Sequence, residues 1–334
     1  MKVLLLHKGG IGDVVFGLPL IRDLKAAHPS GHLTVLTHDQ GREVLRYCPD
    51  VDRAVSFGPL SAGFSLKAAR AAIGSERYDL ALTTTRSPRA AWLLYRSGAG
   101  QRVGFGGGPE GLLLTHRART APFEVVFSRR FQRLATALGI ATCDAMPRLR
   151  VPPERLEEAR EQLSAAGWDG KAKLVALHIG GGWPTKQWPL DRMADFVGLV
   201  AASKAQVLLQ GGLGDRDRAR ALRERAPGFV LDTVGNPVGE ALAQAALAWA
   251  AVGLDSGLSH AAAALGVPTV HLFGPNEPGS ILPAPHQRIL TRDLPCRPCN
   301  RAGKVACPEK HHRCMRDFEA KDVWAALKAL AGPI

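Results

Sequence analysis

The sequence predicts an α/β protein made of two successive doubly wound units, two Rossmann-like domains facing across a cleft. Three observations carry that prediction. Short apolar runs of β type alternate with helical patterns along the chain, a proline-rich break divides the alternation near its middle, and glycine-rich turns follow several of the apolar runs. The 334 residues suffice for two domains of ordinary size, and 46% apolar with 22% charged residues describes a globular chain.

In the first half, "KVLLLH" leads into a helical "PLIRDLKAAH". Then come "HLTVLTH" (32–38), a helix at "GREVLRYC", "RAVSF" (53–57), a helix near 66–74 and "DLALTTT" (79–85). The stretch "PRLRVPPERLEEAREQLSAAG" (147–167) closes this half, where Pro152 and Pro153 start a charged helix. The second alternation runs "LVALHIG" (174–180), helix 190–203, "AQVLLQGG" (205–212), helix 215–226, "FVLD" (229–232), helix 239–249, "AAVGLD" (250–255), helix 258–265 and "TVHLFG" (269–274). "EAKDVWAALKALAG" (319–332) reads as an amphipathic helix. The domain boundaries are therefore 1–152 and 153–318, with a C-terminal helix (319–334) expected to pack back on the N-terminal domain.

"VLLL" is too short for a signal peptide, and "ALAQAALAWAAVGL" (241–254) falls short of the roughly 20 residues of a membrane span, so a cytoplasmic protein is expected. The formal net charge of +13 favours anionic partners. Arginines are spread through 83–105, 115–120 and 127–133; a solvated basic face accounts for them equally simply. Aromatic residues are scarce at 6% and no nucleic-acid module is present, which argues against nucleic acid.

Four segments are candidates for chemistry. "KGGIGDVV" (8–15) turns from strand to helix with glycines, yet places Asp13 where a phosphate would be repelled. "LDSGLSH" (254–260) puts Asp255, Ser256 and Gly257 at a strand-to-helix passage, where the amides of Gly257, Leu258 and Ser259 would face a pyrophosphate. Asp255 stands too close to be a phosphate ligand and suits sugar hydroxyls, although an ordinary helix cap explains the same residues. "LHIGGGWPTKQWP" (177–189) offers Gly181, Gly182, Thr185 and Lys186, a lysine able to neutralise a diphosphate leaving group, or merely a surface loop. "QGGLGDRDRARAL" (210–222) supplies Asp215, which either faces a ribose or caps the following helix. No Walker motif occurs, and Asp13 with Val14 interrupts the G-x-G-x-x-G of a nicotinamide enzyme.

Taken in order and spacing, "KGGIGDVVFGLPLIRDLKAAHP", "HIGGGWPTKQWP" and "LDSGLSHAAAALGVPTVHLFGP" resemble glycosyltransferase family 9, the ADP-heptose:lipopolysaccharide heptosyltransferases. The resemblance implies the GT-B architecture, with the acceptor on the first domain and the nucleotide sugar on the second. It implies inverting transfer of a heptose from ADP-heptose to a hydroxyl of the anionic lipopolysaccharide inner core, peripheral to the inner membrane and without a catalytic metal. Carried over by position, Asp13 matches the general base, Lys186 the lysine beside the diphosphate, and Asp255 the acid that holds heptose hydroxyls. Ser256, Gly257, Leu258 and His260 match the phosphate cradle, with serine where threonine is common. Gly10, Gly12, Asp13 and Arg86 form the acceptor side; Gly181, Gly182, Thr185, Lys186 and Asp215 join the donor side. Other nucleotide sugars, and O-antigen, capsule or protein acceptors, fit the same family.

"CRPCNRAGKVACPEKHHRC" (296–314) holds Cys296, Cys299, Cys307 and Cys314 spaced C-x2-C-x7-C-x6-C. Four thiolates, or three with His311 or His312, suit a structural Zn²⁺; reduced thiols bracing a loop and disulfides are the other readings. The segment is expected to lie outside the cleft, and a scaffold built on it is the non-enzymatic alternative. Cys48 and Cys143 read as packing residues.

Overall fold

The computed structural model describes residues 1–119, 124–226, 230–299 and 305–334. It divides into one unit of Met1–Arg150 with Ser280–Leu282, and a second of Val151–Gly279 with Pro283–Ile334. The first unit carries β1 (Lys2–Leu6), β2 (His32–Thr37), β3 (Arg53–Ser56), β4 (Leu80–Thr83), β5 (Gln101–Phe105) and β6 (His116–Ala118). The second carries β7 (Leu174–His178), β8 (Gln206–Gln210), β9 (Val230–Asp232), β10 (Ala250–Leu254), β11 (Thr269–Leu272) and β12 (Gln287–Leu290).

All described strand pairs are parallel. The spatial orders are β3-β2-β1-β4-β5-β6 and β12-β11-β10-β7-β8-β9, so the second sheet repeats the first order in reverse listing. In each, the order switches direction beside the unit's first strand, between β1 and β4 and between β7 and β10. These are the points where an open α/β sheet takes ligands at the carboxyl ends of its strands. The strands read as continuous apolar runs because helices cover both faces: Leu4, Leu5 and Leu6, like Val175, Ala176 and Leu177, are buried.

The nine strands expected from the sequence are present; Phe229, the first residue of one of them, lies outside the described residues. β5, β6 and β12 were not expected. "QRVGF", "HRA" and "QRIL" are short and half polar, and they sit toward or at a sheet edge, where burial demands less apolar sequence. The C-terminal helix corrects the expectation of a return to the N-terminal domain. Val323, Trp324 and Leu327 of Ala320–Ala331 are buried in the second unit's core, with the Trp324 ring 5.8 Å from Phe196 and 6.3 Å from Trp249. An apolar stripe already covered there defines the helix as part of that core. Among the described residues no helix is long and apolar enough to cross a membrane.

Candidate active site

In the first unit β1 delivers the chain to its carboxyl end, and the turn 7–10 passes it into the helix Ile11–Ala27. Asp13 is the third residue of that helix, and its Oδ2 accepts the Gly10 amide at 2.9 Å. An acid in the first turn also suits the positive end of the helix dipole. A Cβ at Gly9 would overlap the Asp13 side chain, so glycine there is what admits the carboxylate. Gly10, Gly12 and Asp13 are half-buried, and Arg86 is exposed after the end of β4, the strand beside β1. The four acceptor-side residues therefore share one edge of one sheet.

Two histidines that the motif reading passed over lie within reach of the Asp13 charge. His7 is buried, edge-on to Phe131 at 5.2 Å; burial lowers its pKa to about 4, against the pull of Asp13. Burial also lowers His38, with Asp13 and Asp39 opposing. Both imidazoles are accordingly neutral near pH 7.

In the second unit, β7 and β10 are neighbours in register, His178 opposite Gly253, so the loops leaving them meet. Lys186 Nζ lies 2.7 Å from Asp255 Oδ2 and donates to the Asp255 carbonyl at 3.0 Å, while standing 4.7 Å over the Trp183 ring. The other Asp255 oxygen contacts His260 Nε2 at 3.0 Å, and Asn276 Nδ2 donates to Oδ2 at 2.5 Å. Burial would raise the Asp255 carboxyl, but the hydrogen bond and charge of His260 and those of Lys186 overcome it. They hold the group well below the usual carboxylate range. Asp255 and Lys186 are both largely buried, so this is an ion pair of the interior, where removing one partner strands the other.

A proton-ordered chain supports the helix Gly257–Ala264 from behind. Gln210 Nε2 donates to the Ala241 carbonyl at 2.8 Å, which leaves its Oε1 to accept from His178 Nε2 at 3.1 Å. His178 Nδ1 is then the acceptor for the Ser259 hydroxyl at 3.2 Å, and Ser256 Oγ donates to Ser259 Oγ at 3.2 Å. Burial fixes this state, pushing His178 down to about 4. A Cβ at Gly253 would overlap Ser259 Oγ, so glycine sets how closely the helix approaches its strand. Ser256 precedes the helix without capping it, which leaves the amides of Gly257 and Leu258 to a ligand.

Gly181 and Gly182 flank the Lys186 side of the loop, and Thr185 is buried. Asp215 accepts the Gly212 amide at 2.8 Å, the helix-start role, and its carboxylate also lies against Gly180. The second unit thus gathers Lys186, Asp255, Ser256, Gly257, Leu258 and His260 at one switch point, with Asp215 beside the glycine loop. Asn276 and His178 were missed, and Ser259 was read for its amide, not for the hydroxyl that meets His178. Their signal was weak, since Asn276 reaches Asp255 only through the sheet order, from the loop after the neighbouring strand β11.

The cysteine segment lies closer to this site than expected. His312 Nε2 is 2.6 Å from the Thr185 carbonyl. Arg297 donates to the carbonyls of Gly274, Phe273 and Asn276, the loop that carries the Asp255 partner. Residues 300–304 of the segment lie outside the described residues. All six cysteines of the protein are free. Cys296 Sγ is 3.8 Å from His311 Nε2, but among the described residues no three His, Cys, Asp or Glu side chains are grouped to hold a metal. Cys314 is buried in the core, pushed up to about 11 by burial and then by the neighbouring Cys299. Cys296, Cys299 and Cys307 all lie near enough for their charge to act on Cys314, so the four thiols of the motif are neighbours in space.

Residues 66–310 match the model of glycosyltransferase family 9 (heptosyltransferase). Over 345 residues the chain is 26% identical to lipopolysaccharide heptosyltransferase 2 of Salmonella typhimurium, covering 99% of this chain and 98% of that one. Two solved structures superpose along almost the whole chain. The family 9 glycosyl transferase of Veillonella parvula has a TM-score of 0.85 at 20% identity, covering 99% and 97% of the two chains. The E. coli ADP-heptose lps heptosyltransferase II gives 0.82 at 23% identity, covering 99% and 98%. These likenesses establish the GT-B class of the fold.

Proposed function

The chain belongs to glycosyltransferase family 9, and on that premise we propose that it moves a heptose from ADP-heptose to a hydroxyl of the lipopolysaccharide inner core, with inversion at the anomeric carbon. Asp13 takes the proton of the acceptor hydroxyl. The acceptor oxygen bonds to the anomeric carbon as the bond to the diphosphate breaks, and the electron pair leaves on ADP. Lys186 and the amides at the start of Gly257–Ala264 receive the growing negative charge. Asp255 accepts hydrogen bonds from the sugar, with Thr185, Asp215 and His260 around it. Charge neutralisation by a lysine and backbone amides asks for no catalytic metal.

The observation that carries this reading is the tethered pair of Asp255 and Lys186 beside an uncapped helix start. An arriving diphosphate draws the ammonium to itself while sugar hydroxyls take its place on the carboxylate. Both groups thereby stay charged and paired before and after binding. The names of the Salmonella relative and of the E. coli structure support the donor and the acceptor class. The acceptor's phosphates would meet the arginines of 83–105 and 127–133 at the cytoplasmic face of the inner membrane, a peripheral and salt-sensitive contact.

The test is purified protein with ADP-heptose and heptose-deficient lipopolysaccharide. ADP release above background is expected. Silence with ADP-heptose, but turnover of UDP- or GDP-sugars, would remove the donor assignment.

A further inference from the structure

At the opposite end of the first sheet, around the amino ends of β4 and β5, lies an open cavity of about 470 Å³. Its lining includes Arg70, Arg77, Arg96 and Arg102, with Tyr95 and one carboxylate, Glu76. Among the described residues none of these four arginines forms an ion pair. Glu76 does not balance them, because it is already held by Lys2 Nζ at 3.2 Å, Arg53 Nη1 at 3.0 Å and the Tyr78 hydroxyl at 3.0 Å. The nearby Asp79 accepts the Lys2 backbone amide at 2.7 Å.

Helix ends account for part of this charge. Arg70 and Arg96 lie in the last turns of Leu66–Ile73 and Pro88–Arg96, where the helix dipole favours a cation. Two such ends together amount to about one negative charge, which four guanidinium groups exceed. Arg77 and Arg102 are on no helix, and the dipole does not explain them.

The arginines are also partly set in place. Arg102 donates from Nε to the Leu113 carbonyl and from Nη1 to the Ala99 carbonyl, each at 2.7 Å, and its guanidinium is 5.7 Å from the Tyr95 ring. That leaves Nη2 for another acceptor. Arg70 Nη1 donates to the Arg96 carbonyl at 3.0 Å. At Gly98 (φ +77°) a Cβ would come within 3.1 Å of Arg77 Nε, so the glycine lets that guanidinium lie against the chain. Guanidinium groups held in this way match the oxygens of a tetrahedral anion, which would relieve their mutual repulsion.

We propose that this cavity is a second anion site, which binds a phosphate group at the end of the sheet remote from Asp13. The phosphate belongs either to a soluble molecule or to a lipid headgroup. Exposed Trp92 beside Tyr95, ring centres 5.5 Å apart, suits the level of a headgroup.

Two probes separate the sources: inorganic phosphate followed by calorimetry, and sedimentation with phosphatidylcholine vesicles with and without phosphatidylglycerol. The full-length protein is compared with Arg77→Gln and Arg96→Gln, both exposed side chains, and with Lys186→Ala to remove phosphate binding at the donor loops. Binding of either probe should persist in Lys186→Ala and weaken about tenfold in each arginine variant, the scale of one charged hydrogen bond. Phosphate binding alone points to a soluble ligand; binding that requires phosphatidylglycerol points to a lipid. Failure of both probes to bind, or binding that the arginine variants leave unchanged, overturns the proposal.

Discussion

One oxygen of Asp13 is tied to the Gly10 amide, and this bond makes two roles of the same carboxylate separable. Asp13→Asn keeps an oxygen for the amide but no longer accepts a proton, whereas Asp13→Ala loses both. Both variants should lose about 10²–10⁴-fold in kcat, the scale of a missing general base. Only the alanine variant should also lose the helix-start bond, on the order of 1 kcal/mol. A kcat within threefold of the parent in either variant would rule Asp13 out as the base. Lys186→Ala makes the matching case on the donor side. It removes the cation and leaves the buried Asp255 carboxylate to His260 and Asn276 alone, so donor use should fall, and a change confined to the acceptor KM would remove Lys186 from the diphosphate. At this scale the sequence was readable where the backbone dictates the residue: glycine at 9 because Asp13 fills its space, an acid at the third helical position. It was not readable where a contact forms between distant segments. Asn276 has no local signature of a carboxylate partner, and His7 looks like one more residue at the end of an apolar run.

Elements decide what the loops do, and the segment around Cys296–Cys314 is the instructive case. Its spacing suggests a metal because four thiols lie close in sequence. Packing then draws Cys314 into the core with Met315 and Phe318, while His312 turns to the Thr185 carbonyl and Arg297 to the loop of Asn276. The segment is thus tied to the loops around Lys186 and Asn276, an outcome that spacing alone does not encode. The brace has a kinetic consequence. In His312→Ala the Thr185 carbonyl loses its partner, and the loop that positions Lys186 is less firmly held. The donor KM should rise severalfold with kcat changed much less, as steady-state ADP release at varied donor concentration would show. An unchanged donor KM would mean that His312 is irrelevant to the loop. Strands followed the same logic in reverse. The apolar interior strands were evident from sequence, whereas β5, β6 and β12 became strands through their neighbours more than through their own residues.

For the whole molecule, buried neutral histidines set the response to acid. Burial lowers His7 and His178 to about 4 and His271, beside the His260 ring, to about 3. An unfolded chain protonates these imidazoles near their ordinary value of about 6.5. Between that value and the folded ones the unfolded state binds more protons, so stability rises with pH and is lost as pH falls from about 6.5 toward 4. By pH 5 each histidine should have removed about 2 kcal/mol. The lowered carboxylates, Asp255 foremost, titrate below this window and do not mask it. His178 and His271 belong to the second unit, and His7 with the likewise lowered His38 to the first, so acid weakens both units, which need not melt together. His271 offers the cleanest check, because its ring is fully buried and stacked on that of His260. Replacing it with phenylalanine removes a proton-binding group while keeping an apolar ring between His260 and Phe273. Melts at pH 7 and pH 5 should show His271→Phe losing less stability on acidification than the parent. An equal loss in the two proteins would assign the acid sensitivity elsewhere.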